Sequence, residues 1–190
     1  MRSFILCKED GYYNLLIECP ISNMIAYDTG YHKSNYPLRI VKNNYGDIIV
    51  ASPCSTIYTQ IIMANTNLLS KNEHIDYDYL KDYYFPKICD IINNNNAVVP
   101  DQKVAIIVIT KEQAYYFSVE KGVIEEDLIA SFNSLKGSYK AVLQLNKYKG
   151  EDLLVEAFQL CRKTRDILSF PAVFVSTKDY KVKFIKGEII

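Results

Sequence analysis

The chain has 190 residues, of which 49% are hydrophobic and 23% charged, and its mean hydropathy is −0.06. Those values describe a single globular domain over residues 1–190 that buries a core unaided, and they exclude a disordered chain. Basic and acidic residues balance at 22 each, so no chain-wide field gathers nucleic acid or an anionic membrane, and neither is expected as a partner. No apolar stretch reaches membrane-spanning length, and the run Phe4–Cys7 is too short for the core of a secretion signal. Five cysteines (Cys7, Cys19, Cys54, Cys89 and Cys161) are scattered through mostly apolar runs. With no CxxC or Cys/His spacing they read as buried free thiols of a reducing cytoplasm, and no metal or other cofactor is expected.

Ser3–Lys8 reads as a short strand closed by the turn Glu9-Asp10-Gly11, with Tyr12–Glu18 and Met24–Tyr27 as further extended segments. Leu38–Lys42 and Asp47–Ala51 flank Asn43-Asn44-Tyr45-Gly46, a hairpin signal. After Pro53 the period changes. Ser55 is placed to cap a helix carrying Ile57, Ile61, Ile62 and Leu68, and a second helix spans about Asp76 to Ile92 with a kink or break expected at Pro86.

Val104–Ile109 is a continuous apolar run suited to a strand buried on both faces, with Ala114–Val119 as its partner and Val123–Ile129 as an extended, edge-like stretch. A loop over Asn133–Ser138 leads to a short helix near Tyr139–Leu145. Gly150–Ile167 is the clearest helix, with Leu153, Leu154, Ala157, Phe158 and Cys161 on one stripe. A last hairpin pairs Ala172–Ser176 with Lys181–Ile185. This order, strands, two helices, strands, two helices, strands, is not the alternation of a doubly wound fold. It fits an α+β arrangement of two antiparallel sheets with helices outside.

Three stretches are similar to the proteasome β-type subunits and the related bacterial ring peptidase, members of the N-terminal-nucleophile hydrolase superfamily. Met24-Ile25-Ala26-Tyr27-Asp28 resembles the family's strand ending in an aspartate. Leu38–Asn67 resembles its hairpin followed by a long helix, and Ala105–Phe174 resembles its later strand pair, helix pair and strand. The resemblance implies a four-layer αββα sandwich, with two antiparallel sheets between helix pairs. It also implies a homo-oligomer, and a peptide or protein as ligand.

The family's catalysis uses a Thr, Ser or Cys at the free N-terminus, whose own α-amine takes the proton. This sequence begins Met1-Arg2, and the bulky Arg2 disfavours removal of Met1. Ser3 is the nearest candidate nucleophile, with Cys7 reachable only by a longer cut. Asp28 matches the supporting carboxylate, Arg39 or Ile40 the family's lysine position, and Ser134 is the one survivor of its later Gly-Ser-Gly motif. An arginine stays charged and does not replace a tunable lysine. Where the family has glycines that offer an N–H to the oxyanion, this chain has Ser52-Pro53-Cys54-Ser55, and proline has no N–H.

Each candidate also has a plain structural role open to it. Asp28 starts good turn chemistry with Thr29-Gly30, Arg39 suits a solvated edge strand, and Cys54 suits a buried site as well as a reactive one near a helix N-terminus. His32 and His74 lack ligand spacing. Glu125-Glu126-Asp127 reads as a solvated acidic turn, and the tyrosines Tyr77, Tyr79, Tyr83 and Tyr84 as core or subunit interface. The expectation is a diverged, non-catalytic proteasome-like protein acting through self-assembly or partner binding. The alternative is an active peptidase or amidohydrolase once its first residues are removed, using Ser3, Asp28, Arg39 and Ser134. A small-molecule binding module on a coincidentally similar layout is the third reading.

Overall fold

The computed structural model describes residues 1–19, 37–70, 73–95, 104–164 and 170–186. They fall into two compact units, one built on Ala26–Glu126 and the other on Arg2–Ile25 with Asp127–Ile190. Each unit holds a five-stranded antiparallel sheet and helices packed on one of its faces.

In the second unit, β1 (Phe4–Glu9) and β2 (Tyr12–Glu18) form a hairpin whose turn residues Asp10 and Gly11 both take positive φ, at 50° and 82°. That conformation matches the strand twist and needs a glycine or a short polar side chain, as the sequence supplies. The turn fixes the register Phe4↔Ile17 through Glu9↔Tyr12. In the first unit, β3 (Leu38–Val41) and β4 (Ile48–Ala51) form the expected hairpin around Asn43–Gly46. Helix α1 (Thr56–Ala64) follows, with Ser55 at its N-cap position, and a 3-10 turn over Thr66–Leu69 ends the segment.

The second helical segment runs on without a break at Pro86. Helix α2 (Tyr77–Tyr79), capped by Asp76 on the Tyr79 N–H at 2.9 Å, widens into a π-turn over Leu80–Tyr84 and runs on as α3 (Phe85–Asn93). Pro86 follows closely on the π-turn, in helical backbone that continues on both sides of it, so the chain widens at the point where the proline removes a helical donor and does not break there.

β5 (Ala105–Ile109) is fully buried along its length, as its unbroken apolar run predicts, and pairs with β4 and with β6 (Ala114–Ser118). Helical residues Tyr58, Ile62, Tyr84, Ile88 and Ile92 pack with Val50, Ile106 and Val108 of this sheet. The order of the sheet is β3-β4-β5-β6-β7, with β7 at Gly122–Ile124.

The extended stretch expected over Val123–Ile129 is two strands in two sheets. β7 (Gly122–Ile124) pairs with β6, whereas β8 (Leu128–Ala130) pairs with β1 in the second unit. The exposed residues Glu125-Glu126-Asp127 make the passage. Helix α4 covers Asn133–Gln144, six residues earlier than Tyr139. Leu135, Tyr139 and Val142 stand at helical spacing and are buried against the sheet. That packing outweighs the loop signal of Ser134, Gly137 and Ser138, because burial of an apolar stripe supplies most helical stability in proteins. Helix α5 (Gly150–Thr164) presents its predicted stripe to the same core. Its first N–H, Gly150, donates to Glu9 Oε2 of β1 at 2.7 Å. β9 (Ala172–Ser176) and β10 (Val182–Ile185) complete the order β10-β9-β2-β1-β8. The segment Met24–Tyr27 lies outside the described residues.

Candidate functional site

Two places carry the chemistry that the sequence singles out. The first is the start of β1. The register that pairs Phe4 with Ile17 carries on by one pair to set Ser3 opposite Glu18. The Ser3 N–H donates to Glu18 Oε2 at 2.7 Å, and the Glu18 N–H donates back to the Ser3 carbonyl at 2.9 Å. On the other side of β1, the Phe4 N–H donates to Ser131 Oγ at 3.2 Å and the Ser131 N–H to the Phe4 carbonyl at 3.0 Å. Ser3 is buried in peptide linkage to Arg2, itself only 8% exposed. Next to Glu18, the Cys19 thiol is pushed up to about 11 by burial, against the opposing pull of the nearby Arg2 charge.

Ser134 belongs elsewhere in this unit. It lies in the first turn of α4, where the Cys161 thiol of α5 approaches its hydroxyl at 3.8 Å. The hydroxyl that reaches β1 is Ser131, three residues earlier. Glu18 and Ser131 were both missed by sequence reasoning. Glu18 was readable, because the two-residue turn at Asp10-Gly11 fixes which residue of β2 faces Ser3. Ser131 carries no such local signal, since its place depends on β8 joining β1 from far along the chain.

Cys7, the deeper candidate, lies on the helix-facing side of β1. Burial pushes its thiol up to about 12, despite hydrogen bonds from Tyr139 and Asn14 that favour the thiolate. A thiol held neutral in this way is a poor nucleophile.

The second place is the turn from β4 into α1. The Ser52 N–H donates to the Pro37 carbonyl at 2.7 Å, Pro53 has no N–H, and the Cys54 N–H points to Ser52 Oγ at 3.4 Å. The Ser52 and Thr59 hydroxyls lie 3.1 Å apart, and Thr59 Oγ1 also donates to the Cys54 carbonyl at 3.3 Å. Cys54 is buried, its sulfur accepting from the Ala105 N–H at 2.9 Å and donating to the Ala105 carbonyl at 3.1 Å. β4 pairs with β5 only from Ile107 onward, so the thiol stands in for the missing strand neighbour of Ala105.

Arg39 is in this unit too. It lies on β3, an edge strand, and its Nη1 donates to the Met63 carbonyl at 2.7 Å and to Thr66 Oγ1 at 3.2 Å, holding the C-terminal end of α1. Asp28 lies outside the described residues. Among the described residues no cluster of three His, Cys, Asp or Glu side chains is arranged to hold a metal ion, and no helix is long and apolar enough to cross a membrane.

No protein-family model matches the sequence, and no curated protein sequence does either. Solved structures do match. Thiobacillus denitrificans BPH in complex with epoxomicin superposes with a TM-score of 0.63 at 11% identity, covering 92% of this chain and 97% of that one. Eukaryotic HslV from Trypanosoma brucei gives a TM-score of 0.57 at 14% identity, covering 92% and 98%. Anbu, the ancestral β-subunit, from Yersinia bercovieri gives 0.61 at 8% identity, covering 97% and 86%. The likeness spans nearly the whole of each chain. The fold is the α+β fold of the proteasome-type N-terminal-nucleophile proteins.

Proposed function

From this fold we propose that the chain is a non-catalytic proteasome-type protein that acts through self-assembly or through binding a peptide or protein. The observation that carries the proposal is the turn after β4. Oxyanion stabilisation in acyl transfer needs N–H donors aimed outward at the developing charge. Across Ser52, Pro53 and Cys54, two N–H groups are directed into the protein and the third position has none. Of Arg39 and Ile40, either of which the resemblance sets at the family's lysine position, Arg39 has Nη1 engaged at the end of α1 and Ile40 carries no charge. Five free thiols, four of them buried, support a reducing, cytoplasmic setting. The test is incubation of the purified protein with epoxomicin, followed by intact mass and peptide mapping. We expect no adduct. A covalent adduct at Ser3, or at any new N-terminus, refutes the proposal.

The surroundings of Ser3 favour a second reading, an N-terminal-nucleophile peptidase formed by trimming to Ser3. Ser3 has a carboxylate and, one residue on, a hydroxyl at hand in Glu18 and Ser131. The same geometry works against it. An α-amine freed at Ser3 would meet Glu18 at the present 2.7 Å, and a carboxylate at that range favours the ammonium form, which does not accept a proton. N-terminal sequencing of material purified without a tag separates the two readings. A mature chain beginning at Ser3 supports the peptidase, and one that retains Arg2 removes it.

A further inference from the structure

We infer that His74 is a proton-operated clamp within the first unit. Charged, it draws the β5–β6 turn and the lead into α2 together across a cleft between them. Neutral, it releases them.

The β3–β4 and β5–β6 turns lie at the same end of the sheet, because the strands between them pair antiparallel. A cleft of about 90 Å³ opens there, lined by Tyr45, Ile48, His74, Ile75, Lys111 and Glu112 among others. Two side chains build its frame. Asn43 Nδ2 donates to the carbonyls of Leu69 at 2.7 Å and Glu73 at 3.3 Å, and its Oδ1 accepts from the Tyr45 N–H at 2.9 Å. Thr110 Oγ1 donates to the Gln113 carbonyl and accepts from the Gln113 N–H, both at 3.0 Å. Neither side chain changes charge with pH. His74 does, and it is the residue that meets all three segments.

Its Nδ1 lies 3.8 Å from Asp76 Oδ2 and its Nε2 3.8 Å from Glu112 Oε2, while its ring meets Tyr45 edge to face with centroids 5.6 Å apart. An ionised carboxylate only accepts hydrogen bonds, and a neutral imidazole has one N–H and one lone-pair nitrogen. With a carboxylate beside each nitrogen, the neutral ring must turn its lone pair toward one of them. Only the imidazolium donates to both. Closing either gap to hydrogen-bond length takes a movement of about 1 Å, and histidine changes charge between about pH 5 and 8. His74, Asp76 and Glu112 are 51%, 52% and 79% exposed, so each pair is weak, which suits a contact that opens as readily as it closes.

The neighbouring charges do not take over this task. Lys42 is paired with Asp47 inside the hairpin. Asp76 Oδ1 holds the Tyr79 N–H, which leaves Oδ2 for His74. Glu73, next to His74, and Lys111, next to Glu112, are the remaining charged residues of the three segments.

Amide hydrogen exchange of the whole chain between pH 5.5 and pH 8 tests the clamp, each rate divided by that of an unstructured chain at the same pH. The probes are the Thr110 and Gln113 amides, whose bonds close the β5–β6 turn. In wild type their normalised exchange should rise roughly threefold from the acid to the alkaline end, the scale of exposed ion pairs. His74→Gln and Glu112→Gln should each abolish that step and exchange at the alkaline level throughout, with the amides of β5 as protected as in wild type to show that the variants fold. A flat wild-type profile overturns the inference without any variant. So does a step that survives His74→Gln, which assigns it to another group, or one that survives Glu112→Gln, which shows that His74 does not reach the turn.

Discussion

Replacing Tyr84 by phenylalanine should stabilise the protein. Tyr84 ends the π-turn with 0% exposure, in the core beneath α1 and α3, its ring 5.5 Å from that of Phe85. Among the described residues its hydroxyl is the one buried side-chain polar atom with no hydrogen-bond partner. A buried, unsatisfied hydroxyl costs about 1 to 3 kcal/mol relative to water. Deleting one oxygen forfeits only a few tenths of a kcal/mol of dispersion contact. The net gain is about 1 kcal/mol or more, and for a chain of this size each kcal/mol moves Tm by roughly 2–4 °C. Differential scanning calorimetry of Tyr84→Phe measures it. Tyr139→Phe is the control of opposite sign, because the Tyr139 hydroxyl hydrogen-bonds the Cys7 thiol, and its loss should lower stability by about 0.5–1.5 kcal/mol.

The same variant has a signature in pH. Burial, reinforced by the neighbouring Tyr79, pushes the Tyr84 phenol well above its ordinary value of 10.0. Below that value both folded and unfolded chains keep the proton and stability is unaffected. Above it the unfolded chain releases the proton first, so stability falls as pH rises. Tyr84→Phe should therefore remove part of the alkaline slope as well as raise Tm. An unchanged or lower Tm, with the slope intact, would mean that the hydroxyl has a partner in solution, and the reasoning would be refuted.

Cys54→Ala should cost about 2–4 kcal/mol in urea titration, since it strips the buried N–H and C=O of Ala105 of the sulfur that serves both. Cys54→Ser should recover part of that, and equal losses in the two variants would show that the sulfur's volume matters more than its hydrogen bonds. Glu18→Ala should lower stability by about 1–3 kcal/mol, with Glu18→Gln nearer to wild type because the amide oxygen still accepts from the Ser3 N–H; a reversed order would point to the charge and not the bond. Cys7 and Cys19, raised from 9.0 to about 12 and about 11, keep their contribution below pH 9 and lose it as the unfolded thiols ionise. At pH 10 each loses about 1 kcal/mol, and Cys7→Ala should abolish its share of that loss.

How much of this was legible in the sequence depended on range. β1, β2 and their turn could be read because a two-residue loop fixes its own register, and β5 because an unbroken apolar run fits few other places. The start of α4 was misjudged because Ser134, Gly137 and Ser138 weaken a helix locally, whereas Leu135 and Tyr139 hold it through a sheet assembled from both ends of the chain. The passage from β7 to β8 was hidden for the same reason, since a change of sheet leaves no mark on propensity. At the site, Arg39 and Ser134 were chosen by position in a pattern. Their partners, the Met63 carbonyl and the Cys161 thiol, come from elements joined only by the fold.

Three positions that the sequence resemblance sets beside a catalytic site share one physical trait. Proton transfer and oxyanion binding both require polar groups that point toward a space a substrate can enter and that are not already paired. Here the Ser3 N–H is held by Glu18, the Cys54 N–H turns to Ser52 and Arg39 braces the end of α1. Each bond contributes on the order of 1 kcal/mol to stability. A polar group so engaged must break that bond before it can serve a substrate, and catalysis would have to recover the loss in its transition state. Pro53 removes one donor from that turn outright. The same residues instead tie elements of the fold together: Glu18 joins β2 to the start of β1, the Cys54 sulfur serves the start of β5 and Arg39 ties β3 to α1.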